Sequence, residues 1–297
     1  MPIDHEFGAQ HTDLKLSIIE NYLKAFTTAL KPHFQELWYI DAFAGTGFRT
    51  VRHEEKPESF LSAGEPQRIE QRRGSAQIAL DIQPSFDFTV FIDAKPSHVA
   101  ALNDLAARYP RRRIAVVRND ANEAILSLLA ANSWQSTRAV LFLDPYGMEV
   151  NWETLEAIAA TKAIDVWFLF PMSGLYRQAT KNIEAVDEHK ASALTRILGS
   201  EEWKEELYED SGQSEMFGND PRVRTRDVRS LEDYVRRRLR TIFPAVLKPL
   251  PLPLHRKPQL FSLFLCISND ETKAIGLATR IGNHILKVGA EIGRAHV

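Results

Sequence analysis

The sequence predicts an α/β protein with a doubly wound, mostly parallel β-sheet, a closing antiparallel hairpin and a helical insertion. Short apolar runs alternate with amphipathic segments along the first 171 residues, which is typical of successive βαβ units. These runs are continuously apolar, as expected for parallel strands buried on both faces. Two further apolar runs near the end are separated by so few residues that only a hairpin can join them.

The first elements are a helix, a buried strand and a long insertion. Apolar residues recur at helical spacing over 12–34, which predicts the helix. The run 37–40 predicts a strand that ends at Asp41 in a turn of small residues. The polar stretch 49–73 is rich in Pro and Gly, lacks periodicity and is longer than a routine connection. We interpret it as an insertion or an active-site loop.

Helices and strands then continue to alternate. Helices are predicted at 75–82, 97–109, 121–131 and 152–161, and strands at 88–92, 114–117, 139–143 and 164–170. Residues 172–243 are mainly helical, and the closing hairpin is predicted from strands 245–254 and 260–268 with a turn at 255–258. Five parallel strands with a closing hairpin are the strand inventory of a class I methyltransferase rather than of a plain Rossmann dehydrogenase.

We therefore divide the chain into three parts. The core comprises residues 1–171, a mainly helical inserted subdomain comprises 172–243, and the hairpin with a final helix comprises 244–290. Residues 291–297 resemble translated sequencing-adapter DNA, so we expect an artefact there and a natural chain that continues beyond residue 290. An ordinary helix end at Gly293 is the alternative.

Composition excludes several classes of protein. The 297 residues are 44% hydrophobic and 26% charged with a net charge of −2, which indicates a globular protein without a global nucleic-acid signal. No apolar run approaches the about 20 residues that a membrane helix needs, so no membrane partner is expected. The single cysteine, Cys266, excludes an internal disulfide and fits a reducing cytoplasm. Its apolar neighbours predict a core position.

Four predicted strands end in a carboxylate, and parallel strands bring their carboxyl ends to one edge, where ligands bind. The requirements of S-adenosylmethionine match this set. Glycines lack a Cβ and permit close approach to the sulfonium and amino acid part, a carboxylate can accept the ribose diol, and another acceptor can receive the adenine amino group. We expect Asp93 to bind the ribose and Asp120 the adenine. The whole predicted cofactor site is Asp41, Phe43, Gly45, Gly47, Asp93 and Asp120.

Each of these residues also has an ordinary structural interpretation. An aspartate after a strand is often a helix cap or a turn residue, and Gly-x-Gly alone is weak evidence. The separation of Asp41 and Asp93 exceeds the about 20 residues expected in a standard NAD site, which argues against that cofactor.

The motif FLDPYG at 142–147 predicts an acceptor site. Methylation of an exocyclic amino group on a base requires an acceptor to hold the nitrogen in line and an aromatic face to stack the extruded base. Asp144 and the carbonyl of Pro145 can serve as the acceptors, and Tyr146 can stack the base. A simple turn at the strand end is the alternative.

The ordered motifs resemble the three-Cys-motif partner protein family, TcmP. They are HT at 11–12 with Lys15, DAFAGTG at 41–47, GS at 74–75, FID at 91–93 and FLDPYG at 142–147, within a similarity that spans about 11–284. The resemblance implies a methyltransferase-like fold without a settled activity, a bacterial or phage-associated origin, and a neighbour-encoded partner with three cysteines. Members often extend into a C-terminal winged-helix region.

DPYG is also similar to DPFG of tRNA guanine N2-dimethyltransferases and, more distantly, to DPPY of adenine amino-methyltransferases. The second proline of DPPY is missing, which leaves the acceptor base open.

The charged and histidine residues outside these motifs allow two interpretations. Residues 222–257 contain eleven Lys or Arg and three acids, so they either follow a phosphate backbone or are neutralised by the acidic stretch 201–220. Five histidines show no metal-site or triad spacing, and we predict ordinary surface positions for His11, His53, His98, His255 and His284.

Two functions from different classes fit the sequence. The first is a S-adenosylmethionine-dependent methyltransferase acting on an exocyclic amino group of a nucleic-acid base. The second is a non-catalytic methyltransferase-like protein that binds its genomic-neighbour protein or nucleic acid. A nucleotide-processing enzyme that uses the same crevice is a third possibility.

Overall fold

The computed structural model describes residues 4–53, 68–210, 222–254 and 258–295. Its strands are β1 (Glu36–Asp41), β2 (Phe48–His53), β3 (Arg68–Arg73), β4 (Phe88–Asp93), β5 (Ile114–Arg118), β6 (Thr137–Leu143), β7 (Ile164–Phe170), β8 (Tyr208–Asp210), β9 (Arg222–Arg224), β10 (Ala245–Val246), β11 (Leu250–Leu252) and β12 (Phe261–Ile267). Its α-helices are α1 (Asp4–Leu30), α2 (Ser75–Asp81), α3 (Pro96–Ala107), α4 (Ala121–Ala131), α5 (Trp152–Ala160), α6 (Met172–Gln178), α7 (Glu188–Leu198), α8 (Trp203–Glu206), α9 (Val228–Leu239) and α10 (Thr272–Ala295).

The central sheet has eight strands in the described part of the chain. Its order is β10-β12-β7-β6-β1-β4-β5, with β11 also paired to β12. Strands β5, β4, β1, β6 and β7 are parallel, whereas β12 runs antiparallel to β7, β10 and β11. The chain proceeds from β1 to β4 and β5 on one side and from β6 to β7 on the other. Strand order therefore reverses between β1 and β6, and the predicted fold class is confirmed.

Helices cover both faces of this sheet because alternate side chains of the buried strands point to opposite sides. On one face, Trp38 and Ile40 of β1 belong to an apolar cluster with residues of α4, α5, α7 and α9. On the other face, Leu37 and Tyr39 belong to a cluster with residues of α1, α2, α3 and α10. Cys266 is buried in the first cluster, as its apolar neighbours predicted.

The insertion at 49–73 is not an irregular loop where it is described. β2 and β3 pair antiparallel from Phe48–Arg73 to His53–Arg68, and residues 54–67 lie outside the described residues. The two ends of this hairpin meet, because Gly74 N–H donates to Gly47 O at 2.9 Å. A Cβ on Gly74 would lie 2.7 Å from the carbonyl oxygen of Gly47, so only glycine fits where these two backbone segments approach each other. The hairpin thus leaves and rejoins the fold at one point.

The described residues of the region 172–243, which leave out 211–221, form four α-helices, a short 3-10 helix over Ile183–Ala185 and the two-stranded sheet of β8 and β9. Side chains of α7 and α9 share the apolar cluster of the central sheet. The predicted strand 245–254 is divided into β10 and β11, and residues 255–257 of its turn lie outside the described residues. α10 continues to Ala295, through most of the adapter-like segment. The domain boundaries stay predictions.

Candidate cofactor and acceptor site

The turn after β1 lies where strand order reverses, and it is bound to both neighbouring strands. Ala42 N–H donates to Phe142 O of β6, and Ala44 N–H donates to Ile92 O of β4, each at 3.1 Å. Gly45 and Gly47 have φ values of 60° and 75°, in the left-handed region that glycine adopts without a Cβ penalty.

The two glycines of this turn face different surroundings. A Cβ on Gly45 would have no atom within 4 Å, so this glycine faces open space. A Cβ on Gly47 would lie 2.6 Å from Leu105 Cδ2 and 3.6 Å from the Ala76 Cβ. Gly47 is therefore required for packing against α2 and α3, and Gly45 offers the backbone surface that a ligand can approach. The cofactor roles of both stay predictions.

Asp93, at the end of β4, ties the glycine turn to the start of α3. Its Oδ2 accepts from Gly45 N–H at 3.0 Å, and its Oδ1 accepts from Lys95 N–H at 2.8 Å. His98 Nδ1 lies 2.9 Å from the same Oδ2. A carboxylate offers about four acceptor positions, so these partners leave about one for a ligand.

His98 corrects the expectation that it is an ordinary surface histidine. Its side chain is only 17% exposed and contacts a strand-end carboxylate. Metal-ligand spacing could not reveal its contact with Asp93, because no metal is involved in that contact. A histidine in the first turn of the helix that follows Asp93 was the available signal, since that turn lies beside the end of β4.

Asp41 lies beneath the turn and is fully buried. Burial raises the pKa of its carboxyl to about 6, and the charge of Asp144 acts in the same direction. Hydrogen bonds from the Ser75 and Tyr39 hydroxyls and from Phe43 N–H oppose this rise in pKa. The hydrogen bond between Phe43 N–H and the Asp41 carboxylate thus stabilises the turn. Contact of Asp41 and Phe43 with a cofactor stays a prediction.

Asp144 follows β6 and forms an ion pair with Lys15 of α1. The side chains of Lys15 and Asp144 are 8% and 28% exposed, so the carboxylate is the more accessible partner. Lys15 Nζ also lies 5.8 Å from the centroid of the Phe142 ring. A buried ammonium requires a charged or hydrogen-bonding partner, and Asp144 supplies it. Sequence reasoning included Lys15 in a motif but gave it no chemical role.

Pro145 and Tyr146, which follow Asp144, form the rim of the site. Pro145 is buried, whereas Tyr146 is 70% exposed. Lys95 Nζ lies 4.7 Å from the centroid of the Tyr146 ring, in cation–π range. Desolvation, followed by the charges of Asp93 and Asp144, raises the pKa of the Tyr146 hydroxyl. Residues at the ends of β4 and β6 therefore lie close together beside an exposed aromatic ring.

Asp120 occupies the helix-cap position that was its alternative interpretation. Its Oδ1 accepts from Asn122 N–H at 2.9 Å and from Glu123 N–H at 3.3 Å, which caps α4. The adenine role of Asp120 stays a prediction. Asn122, which sequence reasoning missed, donates to Glu149 O at 2.9 Å and accepts from Asn151 N–H at 2.9 Å. It holds the loop that carries the acceptor motif against α4.

Much of the basic segment is paired with the acidic stretch before it. The ion pairs are Arg222–Glu205 at 2.7 Å, Arg226–Glu209 at 3.8 Å, Arg237–Glu206 at 2.9 Å and Arg238–Glu202 at 3.1 Å. These contacts favour neutralisation within the chain over a phosphate-binding surface at those arginines.

No group of three or more His, Cys, Asp or Glu side chains in the described part of the chain could hold a metal ion. No described helix is long and apolar enough to span a membrane.

No protein-family model and no curated protein matches the sequence. Similar solved structures include a Legionella pneumophila protein of family model DUF519, with 13% identity, a TM-score of 0.47 and coverage of 89% of this chain and 90% of that chain. A S-adenosylmethionine-dependent methyltransferase from Clostridium acetobutylicum has 10% identity, a TM-score of 0.36 and coverages of 83% and 91%. A DUF574 family protein from Streptomyces avermitilis has 13% identity, a TM-score of 0.37 and coverages of 89% and 90%. The resemblance to TcmP is not confirmed by these comparisons.

Proposed function

We propose that this chain is a S-adenosylmethionine-dependent methyltransferase. The observation that carries the proposal is the hydrogen bond from Gly45 N–H to Asp93 Oδ2, at the edge where strand order reverses. It joins a glycine that faces open space to a strand-end carboxylate, and S-adenosylmethionine requires both features. The free space at Gly45, which a side chain would fill, fits close approach of a ligand to the backbone.

Each residue at this edge of the sheet would bind a different part of S-adenosylmethionine. Gly45 would lie against the amino acid part of the cofactor, and the remaining acceptor position of Asp93 would receive a ribose hydroxyl. The His98 ring, 2.9 Å from Asp93 Oδ2, would be a further polar group beside the ribose. Asp120 would receive the adenine amino group. Bound there, the cofactor supplies a methyl group already activated by its sulfonium.

We propose an exocyclic amino group of a nucleic-acid base as the acceptor. Asp144 and the Pro145 carbonyl would accept hydrogen bonds from the amino group and so aim the nitrogen lone pair at the methyl carbon. The sulfonium would supply the methyl group and depart as a neutral thioether, and the methylated nitrogen would release its proton to solvent. Lys15 holds the Asp144 carboxylate, and the exposed Tyr146 ring stacks the base. Such catalysis is chiefly positional.

Calorimetry with S-adenosylhomocysteine tests the cofactor proposal. We expect Asp93→Ala to weaken binding by about 10-fold or more, the effect of losing a hydrogen bond to a charged group. Asp104→Ala is the matched control, because this aspartate is exposed on α3 and should leave affinity unchanged. ATP and NAD are titrated in parallel. Preference for either, or equal affinity of the Asp93→Ala variant, would contradict the proposal.

Transfer of a labelled methyl group to bulk RNA and DNA tests the acceptor site. We expect Asp144→Ala to abolish transfer while leaving S-adenosylhomocysteine affinity nearly unchanged. Transfer at the wild-type rate would remove Asp144 from the mechanism.

A non-catalytic partner protein is the second candidate function, and one observation favours it. The carboxylates of Asp93 and Asp144 already have partners within the chain, which a binding protein could retain permanently. In that case the TcmP-like resemblance suggests a neighbour protein with three cysteines as the partner. A folded protein that binds this neighbour but not S-adenosylhomocysteine would favour this role.

A further inference from the structure

We infer a second base-stacking subsite, formed by Tyr176 of α6 and Arg224 of β9, for an unpaired nucleotide adjacent to the one on Tyr146. The inference rests on the proposed nucleic-acid substrate and specifies its form. A strand that presents two neighbouring bases to the enzyme is single-stranded at that point.

The first observation is exposure. The large apolar side chains that are exposed in the described part of the chain are Leu126 at 39%, Tyr146 at 70% and Tyr176 at 42%. Tyr146 follows the end of β6, and Tyr176 lies on the helix that follows the neighbouring strand β7. Both tyrosines therefore belong to segments that follow the carboxyl ends of neighbouring parallel strands. Leu126 lies on α4.

The second observation is that each tyrosine carries a cation on one ring face. The Arg224 guanidinium carbon lies 3.9 Å from the centroid of the Tyr176 ring, much as Lys95 lies over Tyr146. Arg224 is itself fixed, since its Nε donates to Ala179 O and its backbone N–H donates to Lys181 O, both at 2.7 Å. This packing holds the Tyr176 ring against Arg224, and 42% of the side chain stays exposed. A rigid ring loses little conformational entropy when a base stacks on it.

The third observation connects the two rings. The helix that carries Tyr176 abuts the loop that carries Tyr146, because a Cβ on Gly174 would lie 3.3 Å from Met148 Cγ. Arg196 also donates to Met148 O at 3.2 Å, which adds a cationic side chain beside the loop. Every base has a π-face, so two such rings fit successive unpaired bases without demanding a particular sequence. Bases inside a duplex are stacked on their neighbours and present no free face to an aromatic side chain.

Fluorescence anisotropy with labelled single-stranded RNA and DNA of about 12 nucleotides, within the site sizes of single-strand binders, tests the subsite. We expect Tyr176→Ala to weaken binding about 10-fold, the loss of one stacked base, and Tyr176→Phe to bind like wild type. Leu126→Ala is the control for an exposed apolar side chain away from the rim. The salt dependence should stay unchanged in Tyr176→Ala, because stacking neutralises no phosphate. Circular dichroism verifies that each variant is folded.

The outcomes separate this inference from the cofactor proposal. Single-strand binding that is unaffected by Tyr176→Ala overturns the subsite, and so does a wild-type protein that binds no single strand or binds duplex equally well with the same dependence on Tyr176. S-adenosylhomocysteine binding, measured on the same proteins, would leave the cofactor proposal standing in those cases. Conversely, Tyr176-dependent binding by a protein that ignores S-adenosylhomocysteine supports the subsite and contradicts the methyltransferase.

Discussion

Replacement of Asp41 by Asn should change how the stability of the protein depends on pH. Burial raises the pKa of this carboxyl from 3.8 to about 6 in the folded chain. The folded state therefore binds the proton more tightly than the unfolded state does. The resulting stabilisation is complete below about pH 4 and is lost as pH rises to about 6. Two pKa units correspond to about 3 kcal/mol.

The Asp41→Asn variant has no carboxyl group to titrate at this position. Its stability therefore lacks the decrease that deprotonation of Asp41 causes in the wild type. Its amide oxygen can still accept from the Tyr39 hydroxyl, and its amide NH2 adds a donor that must be satisfied. That second effect is independent of pH, so it cancels when two pH values are compared. We expect the free energy of unfolding of Asp41→Asn, relative to wild type, to rise by up to about 3 kcal/mol between about pH 4 and pH 7.

Urea denaturation followed by tryptophan fluorescence at both pH values measures this difference. Asp104→Asn removes a carboxylate that is exposed on α3, and its free energy relative to wild type should be nearly the same at both pH values. The reasoning is refuted if the Asp41→Asn difference stays constant within about 0.5 kcal/mol, or if it falls as pH rises.

Four further predictions concern the site and the core. Lys15→Met should lower the free energy of unfolding by only about 1 kcal/mol, because the Asp144 carboxylate that loses its partner is 28% exposed and can be hydrated. Methyl transfer should nevertheless fall about 10-fold as Asp144 loses its partner, and full activity would contradict the positioning role. Gly45→Ala should cost about 1–2 kcal/mol of stability for its left-handed backbone and should abolish S-adenosylhomocysteine binding. Gly47→Ala should unfold at a lower temperature than Gly45→Ala, since its Cβ also meets Leu105 at 2.6 Å; the reverse order in thermal denaturation would be inconsistent with this packing. Burial raises the pKa of the Cys266 thiol, so alkylation should require unfolding, and rapid labelling of the native protein would show that the thiol is accessible.

The sheet was largely predictable because buried parallel strands leave a local signature. Continuous apolar runs located β1 and the four parallel strands after it, and Asp93 and Asp144 followed because a polar residue ends each run. The hairpin of β2 and β3 was missed since its strands, FRTVRH and RIEQRR, contain few apolar residues. An apolar pattern cannot reveal such strands.

The partners of the site residues were not predictable from local sequence. Lys15 and Asp144 are 129 residues apart, and no periodicity relates them. His98 lies only five residues from Asp93, yet their contact depends on the angle at which α3 leaves β4. The basic segment shows the same limit, because only tertiary structure reveals that Arg222 faces Glu205. Local patterns predict elements, and the chemistry of side chains depends on how those elements meet.

α1 has a consequence for the order in which this protein matures on the ribosome. Lys15 and Tyr22 are two helical turns apart and reach Asp144 and Asp165, which are synthesised 129 and 143 residues later. The helix therefore leaves the exit tunnel long before its partners exist. Until β6 and β7 emerge, the apolar face of α1 can pack only on the elements made before them, such as β1, α2 and β4, and its cover by the sheet is incomplete. A nascent chain of this protein thus carries α1 with an incompletely covered apolar face until β7 is made, and chaperones bind surfaces of that kind.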